Sequence, residues 1–274
     1  MIDFLRRLLR TPQGILGCLI IAVVLIAVVA GGWVTPYGPE DMQALARYKA
    51  PSATHWLGTD QYGRDILSRL LDGARSTVAM AVLATFIGTL AGAVLGTGSA
   101  YLGGRADEFI MRTVDAVMAI PSLLLALLVV SLLGSNSWNA LLAIAIAFAP
   151  SMARISRSVA LTVRKQDYVS AAIARGEGAG YIVLREMLPN VIAPIVVEMT
   201  IRVSFAVMLF ATLSFLGLGA QPPATDWGLM VSEARQYLHR SYWILLWPSA
   251  AIALTAIGFN LLGDGLRDAL NPRT

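Results

Sequence analysis

The sequence predicts an all-α polytopic membrane protein with six transmembrane helices. Two observations carry that expectation. Of the 274 residues, 57% are hydrophobic and only 14% are charged, whereas soluble domains carry about a quarter charged residues. The apolar residues also gather in long runs, and about 20 such residues suffice to cross a hydrocarbon core. The runs lie near 14–34, 77–101, 110–133, 139–159, 191–218 and 243–263.

Each run has its own signature. Arg6, Arg7 and Arg10 ahead of the first resemble the basic end of a signal peptide. The run is nevertheless long enough to span, and Trp33 and Tyr37 close it as an interfacial belt would, so it is expected to stay. The outer segment that follows, about 36–76, spaces Asp60, Arg64, Asp65, Arg69 and Asp72 largely by three and four. That spacing suits ion pairs along a helix at the membrane surface, or equally a solvated charged face. In the second run Gly88, Gly92 and Gly96 recur every four residues, a stripe that lets helix backbones approach closely in lipid. The fourth run is cleanest up to Ala149 and is expected to continue as a helix past Arg154 and Arg157. In the fifth, Glu198 and Arg202 are four residues apart and can pair with each other. Charges inside spans often mark a solute path, and a place near the inner end of a long helix would explain them as well.

Counting Lys and Arg sets the orientation. With the N-terminus inside, the inner segments hold Arg6, Arg7, Arg10, Arg105, Arg112, Arg154, Arg157, Arg164, Lys165, Arg175, Arg185, Arg267 and Arg273, and the short outer connectors only Arg235 and Arg240. The positive-inside rule then makes both termini cytoplasmic. The same placement explains the net charge of +4 without nucleic acid.

The residues exclude several chemistries. One cysteine, Cys18, allows no intrachain disulfide, and His55 and His239 are too few and too far apart for a transition-metal site. A P-loop needs Gly-Lys followed by Ser or Thr. Lys49 follows Tyr48 and Lys165 follows Arg164, so nucleotide energy would have to come from a partner. No Ser-His-Asp or H-E-x-x-H spacing occurs, and no catalytic residue is expected.

The longest inner connector reads R-K-Q-D-Y-V-S-A-A-I-A-R-G-E-G-A-G-Y-I-V-L-R-E-M-L-P-N. Asp167 can cap a helix that includes Ala171 and Ala172. Gly176, Gly178 and Gly180 break it, a second short helix fits Tyr181 to Met187, and Pro189 suits the start of the fifth span. Such a projection, with small residues at 171 and 172, suits docking into a groove on another protein. A surface hairpin with no partner is the plainer reading.

This connector resembles the E-A-A motif of ABC importer permeases, E-A-A-x3-G-x9-I-x-L-P. Ser170, Ala171, Ala172, Gly176, Leu188 and Pro189 fall on its positions; Ser170 replaces the motif Glu, and Glu186 stands where the general pattern has Ile. Three further stretches are similar to the second permease type of the dipeptide/oligopeptide/nickel family: H-W-L-G-T-D-Q-Y-G-R-D-I-L-S-R from His55, S-F-L-G-L-G-A-Q-P-P-A-T-D-W-G from Ser214, and the ending L-G-D-G-L-R-D-A-L-N-P-R.

The resemblance implies a type I ABC importer permease in the bacterial inner membrane, carrying peptides or similar small solutes. It implies a heterodimer with a second permease subunit, two cytoplasmic ABC ATPases that use ATP and Mg2+, and an extracytoplasmic solute-binding protein. This chain would bind no cofactor or metal. Residues 1–76 would form the tail, first span and outer scaffold, and 77–274 the core with a coupling loop at 160–190. Tyr168, Ser170, Ala171, Ala172, Gly176, Glu186, Leu188 and Pro189 would couple to the ATPases. Pro222, Pro223, Asp226 and Trp227 would belong to an outer gate. Glu198 and Arg202 are the candidates for the path. An ATP-independent secondary transporter or channel, or a membrane scaffold, are the competing readings.

Overall fold

The computed structural model describes residues 7–270. Arg6, Arg273 and the last residues of the terminal motif lie outside them. Among the described residues the main helices are α1 (Pro12–Val34), α2 (Ile66–Leu102), α3 (Gly104–Met118), α4 (Ser122–Leu133), α5 (Ser137–Val163), α6 (Asp167–Ala174), α7 (Ala179–Phe215), α8 (Trp227–Ala234) and α9 (Trp243–Leu270). Among the described residues α1, α2, α5, α7 and α9 are each long and apolar enough to cross a membrane, and α3 with α4 makes a sixth span if counted together. Exposed Leu, Ile, Val and Phe side chains along α1, α2 and α7 leave apolar faces suited to lipid.

The third expected span, 110–133, is not one straight helix. α3 and α4 meet at an angle of 89°. Pro121, which has no N–H to continue a helix, sits at the break as the residue before Ser122. A helix of 12 residues rises only about 18 Å, less than the roughly 30 Å of hydrocarbon. α3 carries Asp107, Glu108, Arg112 and Asp115 and is amphipathic rather than apolar.

The glycine stripe makes the tightest seam. A Cβ on Gly88, Gly92 or Gly96 would come within 2.7, 2.5 and 2.1 Å of the carbonyl oxygens of Ala145, Ala149 and Ala153. Two stripes of four-residue period, glycine on α2 and alanine on α5, thus lie backbone against backbone. α5 continues unbroken past Arg154 and Arg157 to Val163, as its sequence suggests. There Asp107 takes a bidentate contact from Arg157 and a hydrogen bond from the Ser99 hydroxyl, fastening α3 to both α2 and α5.

The outer segment departs from its expectation. Asp65 caps α2, accepting from Ser68 N at 2.9 Å, and α2 then runs straight into the second span with no separate surface helix. Asp60 and Arg64 precede the helix in a loop, and the group is buried rather than solvated: Asp60 is 1% exposed, Asp65 2% and Arg69 4%. Arg64 Nε and Arg69 Nη1 donate to Asp60 at 2.6 and 2.9 Å, and both guanidinium groups also reach Glu233 on α8, at 2.9 and 3.1 Å. His55, stacked on Tyr37, lies 2.9 Å from Asp65.

A second set of bonds fixes α8 to α2. Asp226 caps α8 through Leu229 N and accepts from the Thr77 hydroxyl at 2.7 Å, while Trp227 Nε1 donates to the Leu70 carbonyl at 2.8 Å. Burial pushes the Asp226 carboxyl above the usual carboxylate range, against the hydrogen bonds from Thr77 and Leu229.

Candidate functional site

At the opposite end of α2, α6 and the start of α7 form a hairpin. Its turn is a Schellman motif: Gly176 N donates to the Ile173 carbonyl, Glu177 N reaches back to Ala172, and Gly176 takes φ +80°. A side chain with a Cβ resists that backbone conformation, which explains glycine at the motif position. Gln166, not Asp167, is the cap residue of α6, and it caps without a side-chain bond. Asp167 instead lies in the first turn, where a carboxylate still favours the helix dipole.

One face of the hairpin is built into the protein. Val169, Ala172, Ile182 and Met187 are fully buried in a cluster with Ala93 and Ala100 of α2 and Met152 and Ala160 of α5. The other face is open, with Ile173 50% and Leu184 52% exposed beside Tyr168 and Tyr181. Adjacent helical residues point about 100° apart, so Ala171 and Ala172 do not share a docking face as their sequence position suggests: Ala171 is exposed and Ala172 buried. Arg175 reaches Glu177 at 3.7 Å and Glu186 at 3.5 Å, so Glu186 braces the two arms. Ser170 is exposed beside Ala171, while Leu188 and Pro189 lie at the root of the hairpin rather than its tip.

The expected second short helix is the first part of α7 itself. Ile182–Met187 adopts a π-turn, and the helix continues through Pro189 and Pro194. Proline offers no N–H to the preceding turn, and a π-turn re-spaces the ladder just where the first of them enters. The hairpin arm and the fifth span are therefore one helix of 37 residues.

Farther along α7, Glu198 and Arg202 pair at 3.0 Å, as their spacing suggests. They line a cavity of about 590 Å³ together with Phe205, Leu209 and Thr212 of α7, Phe148 and Ser151 of α5, and residues of the α3–α4 break. Val117, Met118, Ile120, Pro121 and Ser122 all belong to this lining. Irregular backbone at membrane depth is tolerated where it borders a cavity instead of lipid, and the break obeys that rule. Glu198 also borders a second cavity of about 400 Å³, lined by Ile155, Pro194 and Arg267. The Arg202 guanidinium lies 5.8 Å from the Phe148 ring, and its Nε is buried without a hydrogen-bond partner among the described residues. Asp115 stays outside the cavity lining and pairs with exposed Arg154.

Thus the structure brings Glu198 and Arg202 together in a cavity and places the 168–189 residues in a hairpin beyond it. The sequence did not disclose the α3–α4 break or the cavity lining beyond Glu198 and Arg202. Pro121 inside an apolar run was the available signal for the first; nothing local marks the second, because the lining comes from three separate segments.

The architecture has counterparts of similar fold among solved structures. Inward-facing structures of the MetNI methionine ABC transporter match with a TM-score of 0.58 over 74% of this chain and 97% of theirs, at 18% identity, a likeness of fold. Residues 84–274 match the family described as binding-protein-dependent transport system inner membrane component, and residues 1–51 match the N-terminal TM domain of oligopeptide transport permease C. The Probable D,D-dipeptide transport system permease protein DdpC of Escherichia coli (strain K12) is 40% identical over 96% of this chain and 88% of its own length. The Dipeptide transport system permease protein DppC of Alkalihalophilus pseudofirmus is 38% identical over 98% and 88%, and the Glutathione transport system permease protein GsiD of Escherichia coli O6:K15:H31 is 40% identical over 99% and 90%. With a family match over most of its length and such relatives along nearly all of it, the chain belongs to the binding-protein-dependent transport system inner membrane components, as a permease subunit of an ABC importer.

Proposed function

We propose that this permease imports peptides or similar small solutes such as glutathione, and that it takes its driving force through the hairpin of α6 and early α7. The observation that carries the coupling is the continuity of α7, which holds the open apolar hairpin face at one end and the cavity pair Glu198–Arg202 farther along. A partner that grips Tyr168, Ile173, Tyr181 and Leu184 has a rigid lever on the wall of the cavity. Two cytoplasmic ATPases using ATP and Mg2+ are the partners of that face, and their closure shifts the permease between its two access states. The Arg175–Glu186 brace transmits the motion from the turn to α7.

In this reading both termini and the hairpin are cytoplasmic, on the side to which the basic residues are biased. A second permease completes the path, an extracytoplasmic binding protein delivers the solute, and Glu198 and Arg202 face it. Residues 1–76 serve as anchor and outer scaffold, and 77–274 as the transport core. The relatives named for dipeptide, D,D-dipeptide and glutathione transport support the solute class.

Solubilisation in mild detergent and recovery through a tag on this chain tests the proposal. Two ATPase copies and one second permease per chain are expected. A clean monomer or homodimer that still transports would favour a secondary transporter and contradict the reading.

A further inference from the structure

We propose that the 590 Å³ cavity is a seat for zwitterionic solutes, in which Arg202 receives a carboxylate and Glu198 an ammonium group. The inference rests on the reading of the chain as a path-forming peptide permease and names the chemistry of that path. Its volume lies in the range of small-molecule sites. One carboxylate and one guanidinium sit on successive turns of α7, and the walls around them are mostly apolar with the hydroxyls of Ser122, Ser151 and Thr212.

The pair is held loosely for two charges inside a membrane. A guanidinium has five donors, and two parallel bonds to a carboxylate are its strongest arrangement. Arg202 meets Glu198 through Nη2 at 3.0 Å, while its Nε is buried with no partner among the described residues. Arg69 leaves its Nε in the same condition within the outer cluster, so what sets Arg202 apart is its place on a cavity wall. With 19% of the Arg202 side chain exposed, the accessible part of the guanidinium is where a solute carboxylate can bind.

Charge balance selects the solute class. The cavity lining holds one positive and one negative group, so its net charge is zero. A zwitterion lets each group exchange one counter-ion for another and leaves the sum unchanged. A solute carrying only an amine or only a carboxylate would strand one protein charge in a poorly solvated site, which is costly. The apolar walls contact the rest of the solute without demanding one side chain, as a carrier of varied short peptides requires.

The test uses Ala-Ala and its doubly blocked form, N-acetyl-Ala-Ala-methylamide. Saturation-transfer NMR reads their contact with the purified permease–ATPase complex without its binding protein, which removes the selectivity of that separate chain. Uptake of labelled Ala-Ala by cells holding the complete transporter runs in parallel. The double variant Glu198→Gln, Arg202→Gln removes both charges at once and leaves no ion unpaired. The wild-type complex is expected to favour Ala-Ala over the blocked peptide by about tenfold or more, the scale of one charge-assisted hydrogen bond, and the double variant to treat them alike. Cells that accumulate Ala-Ala through a complex that does not distinguish the two peptides would overturn the seat and leave the peptide reading standing. Cells that accumulate no dipeptide would overturn that reading and the seat with it.

Discussion

The two ends of α2 use charge and apolar surface in opposite ways. At its N-terminal end Asp60, Arg64, Arg69 and Glu233 pair with one another, with Arg69 Nε left buried without a hydrogen-bond partner among the described residues, and Asp226, Thr77 and Trp227 lock α8 alongside. At its C-terminal end the hairpin keeps only one face in the core, leaves Ile173 and Leu184 half exposed, and holds its charges by longer contacts at 3.5 and 3.7 Å. The first end pairs its charges within this chain. The second leaves an apolar surface open, and the proposed coupling places a partner there.

The comparison breaks most visibly at the buried cluster. Arg69→Ala leaves Asp60 and Glu233 with Arg64 as their remaining guanidinium, and removing one partner of a buried pair costs about 3–5 kcal/mol. The thermal midpoint of the purified protein should fall clearly; an unchanged midpoint would show that the cluster is hydrated. Next comes the seam between the two ends. Gly96→Val drives a side chain into the Ala153 carbonyl, and overpacking of this kind costs about 1–3 kcal/mol. Its midpoint should fall less than that of the Arg69 variant.

A smaller thermal effect, with a larger functional one, is expected at the hairpin. A Cβ at Gly176 meets nothing within 4 Å, yet its φ of +80° opposes a branched side chain. Gly176→Val therefore costs about 1–2 kcal/mol locally, and it should abolish uptake while membrane insertion stays normal. Normal uptake would remove the hairpin from the coupling.

The smallest effect lies in pH. Because burial raises the Asp226 carboxyl, the folded chain holds that proton more tightly than the unfolded one. The resulting stability is fully present below the ordinary carboxylate range and is lost as pH rises through the raised value. Asp226→Asn keeps an oxygen cap and has no proton to lose. Its thermal midpoint should vary less across that interval than the wild type's.

Much of this contrast was legible in the residues, for reasons that differ by element. Spans are written in long apolar runs, and the α2–α5 seam in the period of Gly88, Gly92 and Gly96, because both signals are local. The turn at Gly176 was legible because only a positive φ demands glycine there. The outer cluster reads as a surface helix or a solvated face because its closure depends on Glu233, 164 positions beyond Arg69. The adjacency of Ala171 and Ala172 suggests one face, but a helix turns them apart. The α3–α4 bend hid behind the apolar residues on both sides of Pro121, and the cavity it borders exists only once α5 and α7 arrive.

Retention of the ATPases by the double variant Ile173→Asp, Leu184→Asp tests the central claim most directly. Both side chains point away from the core, so the charges disturb the open face and spare the buried one. Purified through a tag on this chain, the variant should keep the second permease and lose the ATPase pair. Recovery of both ATPases at wild-type stoichiometry, with uptake intact, would contradict the account.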